Sequence, residues 1–491
     1  MAKARGLVAA AAVVLLGGCG GSSVPTPPKG GPVLRLTLPL VPATVDPAEA
    51  SDLPSLNVSH ELYAGLTRFS GTGVGPDLAE SWDVEQGGLV WTFHLRKGIR
   101  WSDDVPIRAA DFSRSWRRAL APTTAASYAG PVLGIVRGAR RFHATGAGEV
   151  GVEALDDRTL RVTLQHPVPW FDELAAFPIA SVVRPQATVF SGPFRLASRG
   201  RARLVLERNF NYWNVAAVKP SRLVLGGSTK DADAVLPSGL EGPGLPWIDT
   251  VGPAPNGSRE LPTLATGLLW LVTRGTPLAS LGARQYVAWV VTHLDLGTPP
   301  ASLAPPEMPG ASTVNSHAPI QLESQPRPLN LTLVWAEQDK GGSGIAAALR
   351  DNVERLRTFG ITLDFRPVPT LRGLLALAGP PARPGVDLVL LGWSSKLFDT
   401  YNLLDLFPCG SAFNVARWCD PSYDALMREA VRTLDDHERW QIERRLVEKL
   451  HEGVPTIPVY TASDHFSLAP GVHGFSWSPI GFYELMGMTR S

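Results

Sequence analysis

Cysteine is scarce, charge of either sign is nearly balanced, and no apolar run is long enough to cross a bilayer. Three cysteines in 491 residues exclude a disulfide-dense scaffold. With 46 Lys and Arg against 45 Asp and Glu, no field of one sign covers the chain, which argues against nucleic acid as the main partner. The longest apolar run, LVAAAAVVLL at residues 7–16, is about half of what a spanning helix needs. Catalytic signatures are missing too: there is no G-x-x-x-x-G-K-[ST], no H-E-x-x-H and no G-x-S-x-G, and the ten histidines include no i, i+4 pair. His60-Glu61 lacks the second histidine of a zincin and reads as helix surface. GTGVG (71–75) lacks the third glycine and the following helix of a dinucleotide fingerprint, and reads as a hairpin turn. No catalytic residue, metal site or cofactor is expected, and the chain reads as a binding protein rather than an enzyme.

What is present starts at the N-terminus. Lys3 and Arg5 precede the apolar run, and Leu16-Gly17-Gly18-Cys19 closes it in the manner of a bacterial lipobox. On that reading residues 1–18 are a lipoprotein signal peptide, Cys19 is diacylated, and residues 19–31 are a flexible Gly/Ser/Pro tether. The alternative is an ordinary secretory signal, and export follows either way. The other two cysteines, Cys409 and Cys419, form a spaced pair without a nearby histidine. In an exported chain they read as a disulfide closing a short loop, worth ~3 kcal/mol in the chain-entropy model.

The length predicts two or more lobes. VLRLTLPL (33–40), LVWTFHLR (89–96) and TLRVTLQ (159–165) read as strands, and 55–66 and 109–120 as helices, the second carrying Phe112 and Trp116 on one face. The Gly/Pro-rich stretch 237–258 reads as surface loops near a lobe boundary. Beyond it, LNLTLVW (329–335), ITLDF and VDLVLLG read as strands of a βαβ unit. Ile345, Leu349, Val353 and Leu356 make the face of one helix ending at Gly360. Two helices follow Asp420-Pro421-Ser422 and Asp435-Asp436, the latter with Glu438 placed for a capping box, and VPTIPVY (454–460) returns as a strand.

The segments VDPAEASDLPSLNVSHELYAGLTRF and GPDLAESWDVEQGGLVWTFHLRKGIRWSDDVPIRAADFSRSWRRALAP resemble the opening lobe of the family 5 extracellular solute-binding proteins, the oligopeptide- and dipeptide-binding components of ABC importers. The likeness continues through 151–171, 191–214, VDLVLLGW and FNVARWCDPSYDALMREA, and is poor between about 228 and 325. It implies an α/β protein of the type II periplasmic-binding-protein fold, two lobes joined by a hinge with an extra subdomain in the first. The implied boundaries are 32–255 for the first lobe, 57–180 for the subdomain, 256–454 for the second lobe and 455–491 for a return to the first. It further implies an extracytoplasmic, membrane-anchored monomer that captures peptides between its lobes and hands them to ABC permease subunits. The alternatives are a binding protein for an anionic or amine-blocked non-peptide solute, or a regulatory lipoprotein that keeps the fold without transport.

Carried over position by position, the likeness points to Ser51, Asp52, Leu53 and Tyr128 on the first lobe, and to Trp393, Ser394 and Asn414 on the second, with Trp418 supporting the loop. Plainer roles compete: a cap for Asp52, packing for Tyr128, core for Trp393. The main departure lies after VDLVLL. Peptide-binding relatives read G-W-x-x-D-Y, the aspartate taking the peptide ammonium, whereas here Gly392-Trp393-Ser394-Ser395-Lys396-Leu397 puts a lysine in that register. Two ammonium groups about 4 Å apart at an effective dielectric near 20 repel by roughly 4 kcal/mol, about three powers of ten in affinity. Asp399 replaces the lost carboxylate only if the loop bends. Thr370, and VVTHLD at 290–295, also depart from the family pattern.

Overall fold

The computed structural model describes residues 30–38, 41–71, 73–124, 126–184, 188–226, 232–236, 258–296, 302–311, 328–378 and 385–491. The signal segment, Cys19 and the stretch 237–257 lie outside them. Among the described residues no helix is long and apolar enough to cross a membrane.

The chain opens with β1 (Val33–Thr37), whose alternate residues Leu34 and Leu36 are buried, and α1 (Leu53–Leu62). Pro54 in the first turn and Asp52 at the cap start α1 where the sequence places both favourably. The GTGVG run turns the hairpin of β2 (Thr67–Ser70) and β3 (Gly73–Pro76). Next comes a separate four-stranded sheet of β4 (Ala79–Glu85), β5 (Val90–Leu95), β6 (Val152–Ala154) and β7 (Thr159–Thr163), in the order 4-5-7-6. The helices α2 (Ala109–Leu120), α3 (Ala139–Thr145) and α4 (Phe171–Ala175) accompany it. Helix α2 has the predicted bounds; its Phe112 and Trp116 are fully buried, and Trp116 Nε1 donates to the Ala180 carbonyl at 2.7 Å.

A ten-stranded ladder carries the rest. Its first half is β1 with β8 (Phe194–Arg199), β9 (Arg203–Arg208), β10 (Arg222–Gly226) and β11 (Ala234–Val235). The second half begins with β12 (Arg259–Leu271) and α5 (Leu281–Thr292), then β13 (Leu329–Ala336), α6 (Lys340–Asp351), α7 (Val353–Thr358), β14 (Ile361–Val368), α8 (Leu371–Ala378) and β15 (Leu388–Ser394). Strand β13 pairs in parallel with both β14 and β15, so the helices between them are the crossovers that parallel strands need. The single helix expected up to Gly360 is two: Asn352 interrupts it, its side-chain amide donating to the Asp295 and Ala348 carbonyls. Gly360 follows with a φ of +71°, the left-handed value that a helix end favours.

Helices α9 (Tyr401–Leu404), α10 (Pro421–Ala430) and α11 (Asp436–Gly453) lead to β16 (Thr456–Leu468), which runs eight residues past the predicted strand. Asp435 caps α11 by accepting from the Glu438 amide at 2.9 Å. Strands β12 and β16 are 13 residues each and join the two halves: β12 pairs with β15 and β16, and the end of β16 pairs with β11. Their crossing requires glycine at 267, since a Cβ there would lie 2.0 Å from the Tyr460 ring.

The last segment folds back on α1. Asn57, fully buried, donates to the Gly481 carbonyl at 3.0 Å and accepts from the Tyr483 amide at 2.9 Å, and Glu61 accepts from the Leu485 amide at 2.8 Å. His60 and Glu61 are therefore not surface residues as the sequence suggested. Arg68 explains their burial: it donates to Glu484 at 2.7 Å and to the His60 carbonyl at 2.8 Å. Burial pushes the Glu61 carboxyl up and His60 down, while Glu484, which burial alone would raise, is held down by Arg68 and His60. One cation then faces one anion, and the remaining groups stay neutral. Substituting Asn57→Ala would strand two buried backbone groups, each worth about 1–3 kcal/mol, and urea unfolding should show a loss of that order; an unchanged midpoint would refute the role assigned to Asn57.

Candidate ligand-binding cleft

Strand β15 pairs with β12 up to Ser394, opposite Ala265, and the Ser395 amide then donates to the Leu264 carbonyl at 2.7 Å. From there the chain turns sharply, and Asn402 holds the turn. Its side-chain carbonyl accepts from Ser395 Oγ at 3.1 Å, from the Lys396 amide at 3.2 Å and from Trp393 Nε1 at 3.4 Å. No sequence pattern singled out Asn402. Its signal would have been the Asx chemistry available to an asparagine six residues beyond a turn.

Facing this turn is a cavity of about 500 Å³. Tyr128, Val132, Ile135, Val168, Trp170 and Phe177 line it from the side of the four-stranded sheet, and Trp393, Ser394, Lys396, Tyr401 and Phe413 from the other. Trp170 and Tyr401 meet with ring centroids 4.5 Å apart, and Trp393 and Phe413 lie 5.7 Å apart. Arg140, His166 and Asp405 are exposed residues along its lining.

Four of the residues expected at a binding site, Tyr128, Trp393, Ser394 and Lys396, converge on this cavity. Leu53 reaches a void of about 10 Å³ that also touches Tyr128, Phe177 and Lys396. Ser51 is half-buried ahead of α1 and does not line the cavity. The other three take different positions. Asp52 is a cap, its two oxygens accepting from the amide and hydroxyl of Ser55 at 2.8 and 2.7 Å. Asn414 lies under the loop and donates to the carbonyls of Phe407, Pro408 and Trp418. Asp399 does not replace the missing carboxylate: Arg439 donates to it twice, at 2.9 and 2.7 Å, and the Tyr401 amide once, at 2.8 Å. Each of the three spends hydrogen bonds on neighbouring backbone or side chains, and Asn414 Oδ1 is left buried without a partner among the described residues. The sulfurs of Cys409 and Cys419 are bonded, with Cα atoms 4.5 Å apart.

The electrostatics of the cleft follow from which charges are paired. Glu173 of α4 reaches across to accept from the Phe398 amide at 2.7 Å, and burial raises its carboxyl well above the usual range. Glu443 beside the Asp399–Arg439 pair is likewise raised, by burial first and then by Asp399. Lys396 stands apart: its ammonium meets no partner among the described residues, and burial pushes it down to about 8. The Ser394 hydroxyl is buried and also without a partner among them. The arrangement can hold a ligand and orient it, and no group of three metal-ligating side chains occurs among the described residues.

Because Arg439 is the cation bonded to buried Asp399, Arg439→Met should destabilise by about 3–5 kcal/mol, the usual cost of leaving a buried charge alone. The double variant Arg439→Met/Asp399→Asn should recover part of this in urea unfolding; a single variant as stable as the parent would refute the pairing as the anchor of this loop.

The sequence model of the bacterial extracellular solute-binding proteins, family 5, matches residues 73–238. The chain is 25% identical to the "Probable deoxycholate-binding periplasmic protein YgiS" of Escherichia coli K12, over 88% of this chain and 89% of that protein. It is 26% identical to the periplasmic oligopeptide-binding protein OppA of the same organism, over 88% of each. Among solved structures, the unliganded open form of the periplasmic murein tripeptide binding protein MppA superposes with a TM-score of 0.78 at 20% identity, covering 94% of this chain and 99% of that one. Haemophilus influenzae OppA in complex with a peptide gives 0.66 at 21% identity, covering 95% and 100%. The chain has the type II periplasmic-binding-protein fold, and within it residues 73–238 match the middle part of the family 5 extracellular solute-binding proteins.

Proposed function

We propose that the chain is a lipid-anchored, extracytoplasmic binding protein that captures peptides in the cleft and delivers them to the permease of an ABC importer. Relatives named for oligopeptide and dipeptide binding support the cargo, and a neighbour described as the substrate-binding domain of an oligopeptide ABC transporter from Bacillus anthracis is in keeping with the import role. Lobes at 32–255 and 256–454 turn about β12 and β16 in this reading, with 57–180 as the extra subdomain and 455–491 returning to the first lobe. Closure favours whichever cargo binds the closed form better. The observation that carries the proposal is the cavity itself, which opens between the two sides and gathers residues from both.

Lys396 favours a second reading. With the cation unpaired and Asp399 committed to Arg439, the cleft suits an anionic or amine-blocked solute better than a free α-amine. The relative named for deoxycholate binding is in keeping with such a cargo.

Three outcomes test these readings. Cys19→Ser should move the protein from the membrane fraction to the soluble extracytoplasmic fraction, and retention on the membrane would refute the anchor. In calorimetry, N-acetyl-trialanine should bind at least tenfold tighter than trialanine, with Lys396→Asp reversing the order; equal affinities would remove Lys396 from the site. Only the protonated lysine attracts an anion, so affinity for an anionic cargo should be level below pH ~8 and fall as pH rises through it; a flat profile to pH 9.5 would count against Lys396 as its partner.

A further inference from the structure

We infer that the cargo is an amphipathic monoanion: a compact apolar body, aromatic or alicyclic, carrying one carboxylate or similar group that seats against Lys396 at the inner end of the cavity. This rests on the reading of the cleft as the cargo site and names the chemical class within it.

Four observations converge. Lys396 forms the floor of the cavity: the void it shares with Leu53, Tyr128 and Phe177, about 10 Å³, has room for about one water. Beside that floor the side-chain acceptors of the turn are engaged, while two donors that line the cavity are left over. Asn402 Oδ1 serves three donors, Asp399 serves Arg439 and an amide, and Glu173 serves the Phe398 amide, while the Lys396 ammonium and the Ser394 hydroxyl have no partner among the described residues. An ionised carboxylate accepts from the Lys396 ammonium and from the Ser394 hydroxyl alike, whereas an ammonium or an amide N–H has nothing to offer Lys396 and finds only the hydroxyl oxygen of Ser394.

Above the floor the side chains change character. Trp170, Phe177, Trp393, Tyr401 and Phe413 form an aromatic band, and an apolar body placed against it gains about 25 cal/mol for each Å² removed from water. A second charge buried at that level would lack a counter-ion, because the other charged lining residues, Arg140, His166 and Asp405, are exposed. The volume of about 500 Å³ is that of a site for a single small molecule, within the roughly 300–1,000 Å³ usual for such pockets.

The test uses the mature protein and two probes that differ in one group: 1-pyrenebutyrate, an apolar body with a carboxylate, and 1-pyrenebutanol, its neutral counterpart. Fluorescence titration should give at least tenfold tighter binding of the carboxylate. Lys396→Met should abolish that preference while leaving the alcohol bound as before, and Lys396→Arg should keep it. Thermal unfolding of each variant separates loss of the site from loss of the fold. Carboxylate binding that is unchanged in Lys396→Met overturns the inference. So does a cleft that binds N-acetyl-trialanine and neither pyrene probe, a result that leaves the cargo site standing and removes only the class named here. If N-acetyl-trialanine and both probes all fail to bind the folded protein, the cleft is not the cargo site and the inference falls with it.

Discussion

The pairing of β12 with β16 is the constraint on which the cleft depends. Each strand is long enough to belong to both halves of the ladder, so the halves are joined by backbone hydrogen bonds and not by side-chain contact alone. Irregular register between Pro262 and Thr266 breaks the ladder where a proline cannot donate, and Gly267 lets the Tyr460 ring lie against the backbone. Strand β15 takes its register from β12, and the residue at which β15 leaves the ladder decides which side chains meet the cavity.

From that point the loop is governed by polar satisfaction. A buried turn carries amides and carbonyls that must be paired, and here one asparagine, two carboxylates and an arginine serve them. That economy has a consequence for binding. Carboxylates consumed in holding the loop are lost to the cavity, which leaves Lys396 as the charge at its inner end. The same few hydrogen bonds thus set both the path of the loop and the side chains that reach the cavity.

Much of the secondary structure was legible because its causes are local. Helix α2 follows from apolar spacing, α1 and α11 from their capping aspartates, and the β2–β3 turn from its glycines. The misreadings share another cause. His60-Glu61 reads as surface because charge on a helix usually faces water, and only Arg68 and Glu484, the latter 424 residues from His60, make burial tolerable. The long helix toward Gly360 is divided by a hydrogen bond from Asn352 to Asp295, 57 residues away.

At the cleft the division is the same. The sequence by itself determined that a lysine, Lys396, follows the strand that delivers Trp393 and Ser394 to the cavity, since residue identity and apolar patterning are properties of the chain. Tertiary structure alone decided that Asp52, Asp399 and Asn414 are framework and that Asn402 is the hub of the turn. The reason is physical: whether a polar side chain meets a ligand or a neighbouring amide depends on which partners folding brings within about 3 Å, and spacing along the chain does not encode that distance.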